Sequence, residues 1–220
     1  MITVHHLEKS RSHRVLWMLE ELGVPYEIVR YARDPKTLLG PASLREIHPL
    51  GKSPTVTDDG RVFAGSGAIL EYLVERYGEG RFVPPPGSDD RVRHRYFMHY
   101  AEGSLMPYLL MKLVCGRVKS APLPFFVKPI ARRIADGVGA TLIDPNLQRH
   151  VAFLDGELAK APYFGGEALT AADVQMSYPV TALIDRAAGM GPLDRLREHA
   201  ARMRERPAFQ RALERGGEML

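Results

Sequence analysis

Cysteine is nearly absent: the 220 residues contain one, Cys115. A lone thiol excludes an internal disulfide and a Cys-x-x-Cys redox pair, and its apolar neighbours Met111, Leu113 and Val114 predict a buried core position. No apolar run approaches the length of a membrane span. The N-terminus enters a strand-like segment directly, without the basic, apolar and small-residue series of a secretory leader, so a cytoplasmic chain with no membrane partner is expected. Internal repeats and low-complexity tracts are missing as well. Blocks of one charge sign are scarce. The formal charge of +4 is spread over interspersed acids and bases, and only Arg132-Arg133 and the interval from Arg195 to Arg215 are locally basic. The latter alternates with Glu198, Glu205 and Glu214, as a solvated helix face does, so nucleic acid is not an expected partner. Metal-ligand spacing is lacking too: His5 and His6 are adjacent on a predicted strand and point to opposite faces, and no carboxylate or cysteine stands at ligand spacing from His13 or His48. No metal is expected.

What remains is an ordinary globular composition, 45% hydrophobic and 25% charged, in a chain long enough for two modest cores. Ile2 to Leu7 alternates and reads as a strand. Val15 to Leu22 follows at helical spacing and stops at Gly23, and Pro25 to Tyr31 returns as a second strand, which makes a right-handed βαβ unit with parallel strands. Asp34 to His48 is a loop holding a short helix around Ser43 to Ile47. Thr55 to Ala64 is a hairpin turning at Asp58-Asp59-Gly60, and a helix runs from Ser66 to about Tyr77. Three consecutive prolines, Pro84 to Pro86, mark residues 79–88 as a linker. Beyond it the pattern is helical: Asp89 to about Gly116, bent at Pro107; a break from Ser120 to Pro129 that could act as a lid; Ile130 to Ala159; and two last helices, from Pro192 and from Pro207. Thr170 and Asp173 form a capping box, with Leu169 and Val174 placed as a hydrophobic staple, a folding device and not chemistry.

Two segments carry functional information. In His48-Pro49-Leu50-Gly51-Lys52-Ser53-Pro54, a cis bond before Pro54 would turn Ser53 so that its N–H and C=O pair with a peptide-like ligand as an added strand does. Behind it, Ser66 opens a helix after Gly65, and the N–H groups and dipole of that helix suit an anion.

These residues resemble the glutathione-binding half of the soluble, cytosolic-type glutathione S-transferases, as a bacterial member: Pro54, the step to Ser66 and the Ala-Ile-x-x-Tyr-Leu helix stand in the family's order. The resemblance implies an α/β thioredoxin-like domain (1–78), a linker (79–88) and an all-helical domain (89–220), assembled as a homodimer. It implies glutathione as co-substrate, a small electrophile as partner, and glutathione contacts at Lys52, Ser53, Pro54, Gly65 and Ser66. Where the family usually has Glu, this chain has Gly65, so another acid is needed against the ligand's ammonium. The candidate is Glu102, on a helix that family dimers bring to the neighbouring subunit's ligand. The thiol-activating residue falls in Glu8-Lys9-Ser10-Arg11-Ser12, with Ser10 first if Ser12 caps the helix, Arg11 as a charge donor, and Lys9 or Ser12 as alternatives. No Tyr occupies this stretch. A non-catalytic module on the same fold, or a glutathione-dependent peroxidase or thiol transferase, are the alternative functions.

Overall fold

The computed structural model describes residues 1–35, 37, 39–187 and 189–220, so two positions of the expected loop from Asp34 to His48 lie outside the described residues. The chain opens with β1 (Ile2–Leu7), α1 (His13–Leu22) and β2 (Tyr26–Tyr31). β1 and β2 are parallel, in register from Ile2 opposite Tyr26 to Leu7 opposite Tyr31, as a strand–helix–strand crossover requires. After α2 (Leu44–Ile47) come β3 (Thr55–Asp58), β4 (Arg61–Ala64) and α3 (Ser66–Tyr77). β3 pairs antiparallel with both β1 and β4, giving the order β2-β1-β3-β4. Val4 and Val56 are fully buried in the same core as Val15, Leu19, Ile69 and Leu73 of α1 and α3, which seats the two helices against the sheet.

The second half is helical: α4 (Asp89–Tyr100), α5 (Met106–Ser120), α6 (Lys128–Val138), α7 (Asp144–Lys160), α8 (Ala171–Arg186), α9 (Asp194–Arg204) and α10 (Pro207–Gly216). The chain is a thioredoxin-like α/β domain followed by an all-helical one. Ser88 caps α4 by accepting the Arg91 N–H at 3.2 Å. α8 is buried along most of its length and packs against α1, α3, α4 and α5. Its start is the expected capping box, with the Asp173 carboxylate accepting the N–H groups of Thr170 at 2.9 Å and Phe164 at 2.6 Å.

The bend expected at Pro107 is not a kink but a widened turn. Proline has no N–H to offer the carbonyl four residues back. The Met106 N–H instead reaches five residues back to Ala101, and Ala101–Leu105 forms a π turn that joins α4 to α5. The same solution recurs ahead of Pro145, where Gly139–Ile143 is a second π turn closed by the Asp144 N–H. Cys115, expected in the core, is only half-buried at its edge, on the second half of α5, where no residue is fully buried. Phe125, in the break between α5 and α6, is 85% exposed. No helix among the described residues is long and apolar enough to cross a membrane.

Candidate active site

The Ser53–Pro54 peptide bond is cis. Pro54 is buried while Lys52 beside it is exposed. Ser53 continues the β1–β3 pairing with its side chain: Oγ donates to the His5 carbonyl at 2.8 Å and accepts the Leu7 N–H at 3.2 Å. Among the described residues nothing bonds the main-chain N–H or C=O of Ser53. A strand-like edge is therefore left open beside the end of β1.

Across from that edge, α3 begins at Ser66, with no acid in its first turn. The Ser66 hydroxyl is buried and accepts from Arg14 Nη1 at 2.9 Å. Arg14 lies in the first turn of α1 with its side chain 0% exposed. The same Nη1 meets Glu102 Oε1 at 2.6 Å and Gln175 Oε1 at 3.1 Å, while Nε and Nη2 are buried without partners. The Tyr178 ring faces the guanidinium at 5.4 Å. Glu102 gives its other oxygen to Arg11 Nη1 at 2.5 Å. Two guanidiniums thus share one carboxylate, and the cluster keeps a positive charge beside the positive end of α3, an arrangement that attracts an anion. Burial pushes the Arg14 guanidinium below its ordinary value, and the Glu102 charge pulls it back up.

The cluster spans the molecule. Arg14 belongs to α1, Ser66 to α3, Glu102 to the first π turn and Gln175 to α8. Glu102 lies in the π turn that precedes Pro107, and that turn carries it into this cluster.

The signature described as "Glutathione S-transferase, N-terminal domain" matches residues 10–76. Glutathione S-transferase 3 of Schizosaccharomyces pombe is 36% identical, over 98% of this chain and 88% of that protein. Glutathione S-transferase 1 of Saccharomyces cerevisiae is 32% identical, over 84% of this chain and 82% of that one. The chain belongs to the glutathione S-transferase family. Among solved structures, a glutathione S-transferase from Actinobacillus pleuropneumoniae superposes with a TM-score of 0.77 at 28% identity, covering 98% of this chain and 93% of that one. A theta-class glutathione S-transferase from Xanthomonas axonopodis pv. citri, solved with glutathione bound, shares the fold with a TM-score of 0.70 at 24% identity, covering 96% of each chain.

In this glutathione S-transferase Ser53 and Pro54 stand at the open strand edge before β3, and Ser66 opens α3. Ser10 and Arg11 lie at the exit of β1. Ser12 does not cap α1, contrary to the condition set for a free Ser10 hydroxyl. Its Oγ lies 2.8 Å from His6 Nδ1 and 2.7 Å from Ser10 Oγ, and Ser10 is 5% exposed. Lys9 turns outward at φ 47°. Gly65 is the N-cap of α3 at φ 91°, a conformation L side chains rarely adopt. Glu102, expected to serve a neighbouring subunit's ligand, has both oxygens taken by Arg11 and Arg14 of its own chain. His5 and His6 do face apart: His5 bonds Tyr31 Oη and Thr57 Oγ1, whereas His6 bonds Ser12 and the Gly216 carbonyl. Sequence reasoning missed Arg14, Gln175 and His6. For Arg14 one signal was available: a cation on an otherwise apolar helix face, His13-Arg14-Val15-Leu16-Trp17, which buries nearly every residue.

Proposed function

We propose that the chain is a glutathione transferase that binds glutathione between the Ser53 edge and the start of α3 and presents its thiol, as thiolate, to a small electrophile. The observation that carries this reading is the Arg11–Glu102–Arg14–Ser66 cluster. The γ-glutamyl carboxylate sits at the Ser66 end, beside the positive charge of the cluster and the start of α3, and the cysteinyl backbone pairs with Ser53. Lys52 and Gly65 border the ligand. Glu102 holds the two arginines in place.

The thiol lies against Ser10 and Arg11. An ordinary thiol near pKa 8.5 needs roughly 2.7 kcal/mol of added thiolate stabilisation to titrate about two units lower. A partly exposed guanidinium together with a hydroxyl is chemically suited to supply it. Residues 1–78 carry the glutathione site, 79–88 connect, and 89–220 carry the electrophile side. In this reading the protein is a cytoplasmic, bacterial homodimer. Support for the dimer is exposed apolar surface on three helices: Val92 and Tyr96 on α4, Leu110, Val114 and Val118 on α5, and Ile130 and Ile134 on α6, each at a spacing that puts its residues on one side of its helix.

The test is retention on immobilised glutathione followed by turnover of an activated aryl halide. Retention without turnover would turn the reading into a binding module, and loss of both would refute it.

A further inference from the structure

The hydroxyls beside the thiol position form a chain whose hydrogens can be assigned one by one. The Gly216 carbonyl oxygen lies 2.8 Å from His6 Nε2. A carbonyl only accepts, so Nε2 carries the hydrogen and, in the neutral ring, Nδ1 is bare. Ser12 Oγ has two acceptors in reach, the Leu7 carbonyl at 3.3 Å and Nδ1 at 2.8 Å, and its hydrogen goes to the nearer Nδ1. The one hydroxyl hydrogen of Ser12 being used, the 2.7 Å contact to Ser10 is filled by the Ser10 hydrogen. Ser10 Oγ also accepts the Ser12 N–H at 3.2 Å. At rest Ser10 has no hydrogen left to donate and a lone pair left to accept.

Such a chain cannot stabilise a thiolate as it stands, but it can take a proton and reverse. We propose that His6 is the acceptor of the thiol proton of bound glutathione, reached through Ser10 and Ser12, so that thiolate forms without release of a proton to solvent. The inference rests on the reading that Ser10 faces the thiol. The S–H bond breaks and its proton joins Ser10 Oγ; the former Ser10 hydrogen passes to Ser12 Oγ, and the former Ser12 hydrogen passes to His6 Nδ1. Afterwards Nε2–H donates to Gly216, Nδ1–H to Ser12, Ser12 to Ser10, and Ser10 to the sulfur anion. Every donor is matched and no other reactant is consumed. His6 acts as a positioning residue: its ring nitrogens meet Ser12 and the Gly216 carbonyl, and it reaches the thiol only through the two serines.

Burial holds His6 below its ordinary value, so the ring is neutral at rest; Arg30 on β2 opposes its protonation and Glu8 favours it. His13 on α1 is the other titratable neighbour and is itself held near 4 by burial. The approach of α10 depends on Gly216, where an added Cβ would lie 2.4 Å from Leu16 Cδ1 and 3.4 Å from His6 Cε1.

The test adds glutathione to the full chain in weak buffer at neutral pH and records thiolate absorbance together with proton release by an indicator dye. The expected result is thiolate with close to no proton released, and about one proton per thiolate overturns the proposal. His6→Gln keeps hydrogen-bonding capacity without basicity and is expected to lower the thiolate fraction at neutral pH roughly tenfold, its thiol titration moving toward the free value. An unmoved titration in a folded His6→Gln protein also overturns it. Absence of thiolate in the wild type overturns the proposed function itself. Thiolate that persists unchanged in Ser10→Ala removes Ser10 from the thiol, and the inference with it, while leaving glutathione activation standing.

Discussion

Replacing Glu102 with Gln isolates the central charge arrangement. Arg14 is wholly buried, and Glu102 Oε1, 2.6 Å away, is its only anionic partner among the described residues. Removing one member of a fully buried pair costs about 3–5 kcal/mol because the other charge stays behind unpaired. The Glu102 side chain is 31% exposed, so water reaches part of the vacated site and the expected loss is smaller, about 2 kcal/mol. For a chain of this length that is a fall in Tm of roughly 4–8 °C. Arg14→Met alone removes the buried cation and leaves Glu102 paired with Arg11, and the double variant removes both charges. Coupling in the double-mutant cycle, from denaturant unfolding, should be about 1.5–2 kcal/mol. The same Glu102→Gln change should weaken glutathione binding, since Arg11 and Arg14 lose their common anchor. Additivity of the two substitutions within about 0.5 kcal/mol would refute the pairing.

Ser66→Ala should raise KM for glutathione about tenfold with little change in kcat, because the hydroxyl and the helix start hold a carboxylate that does not change during the reaction; steady-state kinetics decides, and a kcat effect alone contradicts it. Pro107→Ala returns an N–H able to bond Gly103, which should close the π turn into an α turn and swing Glu102 away from Arg14, lowering glutathione affinity and, because buried Arg14 loses its carboxylate, thermal stability as well. Asp173→Ala should cost about 3 kcal/mol or more in denaturant unfolding, since the fully buried carboxylate serves the N–H groups of Phe164 and Thr170 and their loss strands buried donors. His13 and His94 are both buried and held near 4. A base whose folded pKa lies below its unfolded value binds fewer protons when folded, so stability is full above about pH 6.5 and falls as pH drops toward 4, by roughly 3 kcal/mol for each ring. His13→Leu should remove about half of that slope, which unfolding curves between pH 7 and 4 measure.

Much of this architecture was legible because its determinants are local. The alternation of Ile2 to Leu7, the Asp59-Gly60 turn, the reciprocal Thr170 and Asp173 cap and the three prolines before α4 each act within a few residues, and the elements appear where those signals place them. The helix start at Ser66 was readable in the same way, whereas the cis bond at Pro54 followed from the family resemblance, since proline permits cis without requiring it.

The site's charges were not. A sequence window sees Arg14 beside Val15 and cannot tell that Glu102, 88 positions on, and Gln175, 161 positions on, close around one of its nitrogens. Ser12 stands where a helix cap is expected, yet the buried bare nitrogen of His6 claims its hydroxyl, so the role expected for Ser10 depended on a ring whose other nitrogen is bonded to Gly216 near the far end of the chain. Pro107 announced a bend, but whether it became a kink or a π turn depended on packing, and with it which way Glu102 points. Local preference determines which elements form and where they stop, since those free energies are decided within a turn or two. Only tertiary structure decides which polar groups lose water together, and burial without water is what makes these few hydrogen bonds strong enough to define a site.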